Sequence, residues 1–90
     1  MARPAYVYIL ECNDGSYYTG WTFDVDNRVK KHSAGKASFY TRSRLPVRLV
    51  YVQKLRDKFS AMKRECHIKE MDRSTKVKLV QEHQEGKKDA

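Results

Sequence analysis

The chain has no apolar run near the roughly 18 to 20 residues of a membrane span, and it holds only two cysteines and two prolines. The first shortage argues against a membrane helix. Cys12 and Cys66 form no Cys-x-x-Cys pair, and a bridge across most of the chain has no support from spacing. They read as reduced, partly buried thiols. His32, His67 and His83 stand at no metal-ligand spacing from them, which disfavours a structural zinc site. The opening, MARPAYVYIL, runs into a patterned strand with no small-residue cleavage site. No secretory signal is expected there, and the expected location is cytoplasmic. The sharpest absence is of acid: from Arg28 to Arg56 there is no Asp or Glu.

That acid-free stretch holds Arg28, Lys30, Lys31, Lys36, Arg42, Arg44, Arg48, Lys54 and Arg56. It contributes +9 to a net charge of +8, so the rest of the chain sums to −1. Phe39, Tyr40 and Tyr51 lie among the cations. Basic charge interleaved with aromatic rings suits a polyphosphate with stackable bases. The plain alternative is a solvated basic face. Lys30, Lys31, Lys36, Tyr40, Arg42, Arg44 and Arg48 are the candidate nucleic-acid contacts.

Ninety residues form one domain with one modest core. Residues 1–84 are expected to be that domain, and 85–90 a flexible tail. Tyr6 to Leu10 alternates with the period of a strand. Asn13-Asp14-Gly15 suits a three-residue hairpin loop: a type I turn with Gly15 in the left-handed bulge position. This turn sets Leu10 opposite Tyr18 and Tyr8 opposite Gly20, so Tyr6, Tyr8, Tyr18 and Gly20 share one face. Asp24 or Thr22 can cap a helix running to about Ser33, which Gly35 ends. At about 100° per residue, His32 projects within roughly 20° of Val25, and Arg28 about 60° to one side. Lys36 to Pro46 reads as a loop, and Val47 to Leu55 as a third strand. A helix from Asp57 to Met71 carries Phe59, Met62 and Cys66 on one side and Ala61, Glu65 and Ile68 on another. A short helix follows from near Ser74. The order β-β-α-β-α-α predicts a small α/β (α+β) sandwich around a three-stranded, mostly antiparallel sheet.

The inward-looking polar groups are Tyr8, Tyr18, Arg28, His32 and Glu65. Phosphodiester hydrolysis needs an activated water, a base, and positive charge against the developing phosphorane. One carboxylate suffices to hold a Mg²⁺ that keeps its waters. Buried tyrosines are also ordinary core residues, and an i,i+4 Arg-His pair is an ordinary surface pair. YVY at Tyr6–Tyr8, YTG at Tyr18–Gly20, Arg28, His32 and Glu65 in order resemble the GIY-YIG nuclease superfamily, nearest its small stand-alone bacterial members. Two further segments, FYTR at Phe39–Arg42 and PVRLVY at Pro46–Tyr51, resemble that branch. The resemblance runs from Tyr6 to about Val80 and implies the GIY-YIG fold.

It also implies roles. Glu65 would ligate one divalent cation, Mg²⁺ or Mn²⁺, and Arg28 would stabilise phosphate charge. Tyr8 and Tyr18 would line the site, one of them activating water or orienting phosphate, with His32 assisting proton transfer. Gly20 would leave room for a backbone or phosphate to approach. Tyr6 and Thr19 depart from the family's first Gly and central Ile. Three readings follow. The first is a metal-dependent endonuclease on DNA with little sequence preference, with branched or single-stranded DNA in repair or recombination as candidate substrates. The second is a nucleic-acid-binding domain with weak or no hydrolysis, and the third a structural subunit. Oligomeric state stays open, Glu11 has no assigned role, and His67 and His83 read as solvated.

Overall fold

A computed structural model of the protein describes residues 3–88. Strand β1 (Ala5–Glu11) is the middle of a three-stranded sheet of order β2-β1-β3. Val7 through Leu10 are all buried, because both faces of the central strand are covered. That is why its apolar run is nearly continuous rather than strictly alternating. Strand β2 (Tyr17–Thr22) pairs antiparallel with β1, with Leu10 opposite Tyr18 and Tyr8 opposite Gly20. The hairpin closes as its sequence suggests: the Gly15 N–H donates to the Cys12 carbonyl at 2.9 Å, and the Cys12 N–H to the Ser16 carbonyl at 2.8 Å. Gly15 has φ +83°, the left-handed conformation this turn demands. Strand β3 (Arg48–Leu55) pairs antiparallel on the other side of β1, with a register irregularity between Ile9 and Leu10. Both pairings are therefore antiparallel.

Helix α1 (Val25–Ser33) starts on Asp24, whose carboxylate accepts the Asn27 N–H at 3.1 Å. It ends where Gly35 (φ +74°) turns the chain. There the Lys36 N–H reaches the Lys31 carbonyl and the Gly35 N–H the His32 carbonyl, the two bonds of a Schellman cap. The expected loop after it contains a single-turn helix, α2 (Phe39–Arg42), capped by the Ser38 hydroxyl. Helix α3 (Lys58–Lys69) is capped by Asp57. Helix α4 (Arg73–Lys88) is longer than the short helix expected, and residues of the expected tail from Glu85 are helical through Lys88. Residues 89 and 90 lie outside the described residues.

The core lies on the β1 face of Ala5, Val7 and Ile9, against Ala61 and Ile68 of α3, Val80 of α4 and Tyr51 of β3. On α3 the small Ala61 and Ile68 face inward, while Phe59 is 70% exposed and Met62 47% exposed. Cys66 lies on that outer side and is exposed, not partly buried, whereas Cys12 is buried; neither is in a disulfide. His83 is not simply solvated, because its ring packs 4.9 Å from that of Tyr51. The opposite face of β1 carries Tyr8, against which Tyr18 and His32 pack, whereas Glu65 stands on α3. Among the described residues no helix is long and apolar enough to cross a membrane.

Candidate active site

Tyr8 reaches the site across Gly20. A Cβ at position 20 would stand 2.6 Å from the Tyr8 Oη and 2.9 Å from its Cζ. Cross-strand pairing puts the ring there, and only glycine leaves it space. The room at Gly20 is thus taken by Tyr8 itself rather than left for a phosphate.

His32 receives the Tyr8 hydroxyl. One helical turn after Arg28, it leans from α1 toward the sheet and is fully buried. Its Nε2 lies 2.8 Å from the Tyr8 Oη, and its Nδ1 2.8 Å from the Thr41 Oγ1. The Thr41 hydroxyl donates its own proton to the Ser38 carbonyl, 3.3 Å away. Thr41 must therefore accept from His32, which puts the imidazole proton on Nδ1 and leaves Nε2 to accept from the Tyr8 O–H. Burial, with the Arg28 guanidinium adding to it, pushes the His32 pKa below its ordinary value and keeps the ring neutral. Burial, seconded by Tyr18, pushes the Tyr8 phenol up to about 12. Arg28 pulls against that rise, and Glu65 adds to it as the weakest of these influences.

Tyr18 continues the aromatic layer. Its ring centroid lies 4.9 Å from His32, 6.4 Å from Tyr8 and 6.1 Å from Tyr40. Tyr40 lies under the Arg44 guanidinium, 3.9 Å from ring centroid to charge centre. Arg44 also holds Asp14 at 3.0 Å, and its carbonyl accepts the Asn13 N–H at 2.8 Å. Arg44 thus pins the hairpin turn to α2. Arg48 pairs with Glu11, its neighbour across the strands, which gives Glu11 a place in the structure. Of the other candidate nucleic-acid contacts, Lys30, Lys31, Lys36, Tyr40 and Arg42 are exposed.

Arg28 lines an open cavity of ≈350 Å³ beside Trp21, Thr22, Phe23 and Asp24. Glu65 projects from α3 on the side of Ala61 and Ile68; its side chain is 22% exposed and its carboxylate pairs with Lys69 at 3.4 Å. Arg28 of α1 and Glu65 of α3 thus act on the Tyr8 phenol in opposite senses, Arg28 lowering its pKa and Glu65 raising it. Among the described residues no three His, Cys, Asp or Glu side chains gather around a possible cation position. A partly solvated carboxylate outside any cluster of three such ligands fits a hard cation that keeps most of its waters. Thr41 and Ser38 escaped the sequence reading. The available signal was Ser38 three residues before Thr41, an N-cap pattern inside a segment read as loop.

The family model described as the GIY-YIG catalytic domain matches residues 4–78. A UPF0213 protein of Streptococcus sanguinis is 49% identical over 82 residues, covering 91% of this chain and 94% of that protein. The solution NMR structure of the UPF0213 protein BH0048 from Bacillus halodurans is similar at TM-score 0.57 and 51% identity, covering 87% of this chain and 83% of that one. The solution NMR structure of EF2693 from E. faecalis is similar at TM-score 0.59 and 30% identity, covering 89% and 86%.

Proposed function

The chain belongs to the GIY-YIG catalytic domain family, a family of nucleases, and from that premise we propose that it is a divalent-cation-dependent endonuclease that hydrolyses phosphodiester bonds in DNA. The observation that carries this reading is the Tyr8 hydroxyl, bonded to a buried His32 whose pKa burial lowers, with Arg28 and Glu65 acting on the phenol in opposite senses. The reading includes little sequence preference, a cytoplasmic setting, and branched or single-stranded DNA in repair or recombination as the substrates to compare.

Hydrolysis requires a water to lose a proton as it attacks phosphorus. With its own proton directed at His32 Nε2, the Tyr8 oxygen keeps lone pairs for a water. As the water attacks, its proton passes to Tyr8 and the phenolic proton passes to His32. A phenol pushed up to about 12 is not a standing phenolate at neutral pH, so the two transfers occur together. Thr41 holds the imidazole in the tautomer that accepts this proton. Arg28 opposes the charge that builds on the phosphoryl oxygens. Tyr18, beside His32 without replacing its bonds, orients the phosphate. Glu65 would hold Mg²⁺ or Mn²⁺, which when bound neutralises charge on the phosphate and the departing oxygen.

A second reading, binding without hydrolysis, draws on the Glu65–Lys69 pair, which occupies the one available carboxylate. The test compares plasmid, single-stranded and branched DNA in Mg²⁺ and in Mn²⁺, using the wild type, Glu65→Ala and Arg28→Ala. Cleavage that falls about 10²-fold or more in both variants supports the nuclease. Cleavage that survives Glu65→Ala refutes the cation assignment. Salt-sensitive binding of DNA by all three proteins, with no cutting by any, establishes the binding module instead.

A further inference from the structure

Phe39 is 87% exposed, although the next two residues of α2 are engaged: Tyr40 stacks with Arg44, and Thr41 is buried against His32. Residues two apart in a helix lie about 200° around its axis. Fixing Thr41 inward therefore holds the Phe39 ring outward in water, where packing gains nothing from it. An aromatic ring held this way keeps a face free for contact.

Its surroundings say what it contacts. The ring borders an open cavity of ≈370 Å³ lined also by Gly35, Lys36, Ala37, Ser38 and Arg42. That volume is of the size that takes small organic ligands. Lys36 and Arg42 are exposed, and among the described residues neither joins an ion pair, unlike Arg44 and Arg48. Gly35 and Ala37 keep side-chain bulk off the cavity. A flat ring beside two uncommitted cations is complementary to a flat base joined to a phosphate. An apolar protein partner would leave both cations without a counter-charge.

We propose that this cavity is a subsite for one unpaired nucleotide, its base stacked on Phe39 and its phosphate held by Lys36 and Arg42. The proposal rests on the nuclease reading in one respect: α2 also carries Thr41, so the strand held here belongs to the same nucleic acid that Tyr8 would meet. Bases inside a closed duplex have no free face to offer the ring. The subsite therefore selects single strands, open ends and unpaired positions.

The test is equilibrium binding in EDTA, which needs no cleavage. Fluorescein-labelled single-stranded DNA, single-stranded RNA and a hairpin-closed DNA duplex are titrated with the wild type, Phe39→Ala, Phe39→Tyr and the Lys36→Ala/Arg42→Ala double variant. Losing one stacked base weakens single-strand binding about 5- to 150-fold in Phe39→Ala. Phe39→Tyr restores it, and duplex binding stays within about two-fold. The double cation variant weakens binding of both forms and flattens the salt dependence by up to about 1.4 units of slope on single strands and about 1.8 on the duplex. A loss shared by DNA and RNA shows that base and phosphate are read without the sugar, and a loss confined to DNA supports a site that also reads the sugar. Three results overturn the subsite: single-strand binding unchanged in Phe39→Ala, a loss equal on single strand and closed duplex, or a loss confined to RNA. A protein that cuts DNA but ignores Phe39 sinks the subsite and leaves the nuclease. One that stacks single strands but never cuts does the reverse.

Discussion

Replacing Gly20 with alanine tests the packing on which the site depends. The added Cβ would stand 2.6 Å from the Tyr8 Oη, 2.9 Å from Cζ and 3.2 Å from Cε1. The first two are closer than real Cβ atoms approach, so something must move. The backbone cannot move readily, because Gly20 is locked opposite Tyr8 in the sheet. The ring has little freedom either: it is 1% exposed and tied to His32 at 2.8 Å. Overpacking of this kind costs about 1–3 kcal/mol. Displacing the hydroxyl adds about 0.5–1.5 kcal/mol for the lost hydrogen bond. Removing a strand glycine returns about 0.5–1 kcal/mol. The net loss is about 0.5–4 kcal/mol, or a fall in Tm of about 2–32 °C for a domain of this size. Calorimetric melting measures it. Adding Tyr8→Phe removes the atom at 2.6 Å but leaves Cζ at 2.9 Å, so the double variant recovers part of the stability while staying inactive. A Gly20→Ala protein that melts with the wild type would show that Tyr8 does not lie over Gly20, and the site drawn around it would fail.

Thr41→Val keeps the shape but leaves the buried His32 Nδ1–H without its acceptor. Urea unfolding should show a loss of about 1–3 kcal/mol, with Thr41→Ser losing less. Below about pH 6.5 the unfolded chain gains a proton on His32 that the folded chain resists, because burial depresses its native pKa. The contribution of His32 is then complete above about pH 6.5 and is lost as pH falls toward the native value, at no more than about 1.4 kcal/mol per pH unit. A His32→Gln variant should lack that slope in denaturation measured from pH 5 to 8. Asp14, Asp57 and Asp72, whose carboxyls are held below their ordinary values by hydrogen bonds from Ser16, Ser60 and Thr75, act only at lower pH. Arg44→Ala removes an ion pair, a stacked ring and a bond to the Tyr40 carbonyl, so it should cost about 1–2 kcal/mol in thermal melts. Arg48→Ala removes only an exposed pair and should cost less than about 1 kcal/mol.

The parts of this structure that are local in sequence were legible there. Asn13-Asp14-Gly15 dictates its own turn, and once Gly15 adopts a positive φ the pairing of Tyr8 with Gly20 follows. Asp24 and Gly35 bound α1 in the same way, and His32 faces inward by helical spacing alone. Helix α2 was not legible. A single turn shows no periodicity, and what holds it is distant: the bond from Thr41 to His32, and that from the Asn13 N–H to the Arg44 carbonyl. Helix α3 presents apolar residues on two sides, so spacing could not say which would be buried. Packing against β1 and β2 takes the side with the small Ala61, where a helix can approach closely, and leaves Phe59 in water. The partner of Glu11 lay 37 residues away, beyond any local signal.

The acid-free run from Arg28 to Arg56 also looks different once folded. It has no acids of its own, yet Arg44, Arg48 and Arg56 pair with Asp14, Glu11 and Asp57 from outside the run. Its charge is therefore not spread evenly over the surface. Among the described residues Lys30, Lys31, Lys36, Arg42 and Lys54 of the run are exposed and join no ion pair; the first four belong to α1, α2 or the segment between them, and Lys54 lies on β3. The same two helices supply His32, Thr41 and Arg28. Under the proposed nuclease reading, a strand drawn to those four cations is drawn to the elements that carry His32 and Thr41. The basic composition becomes an argument about place: in the proposed reading, attraction and proton transfer would share one two-helix unit, joined at the His32–Thr41 hydrogen bond.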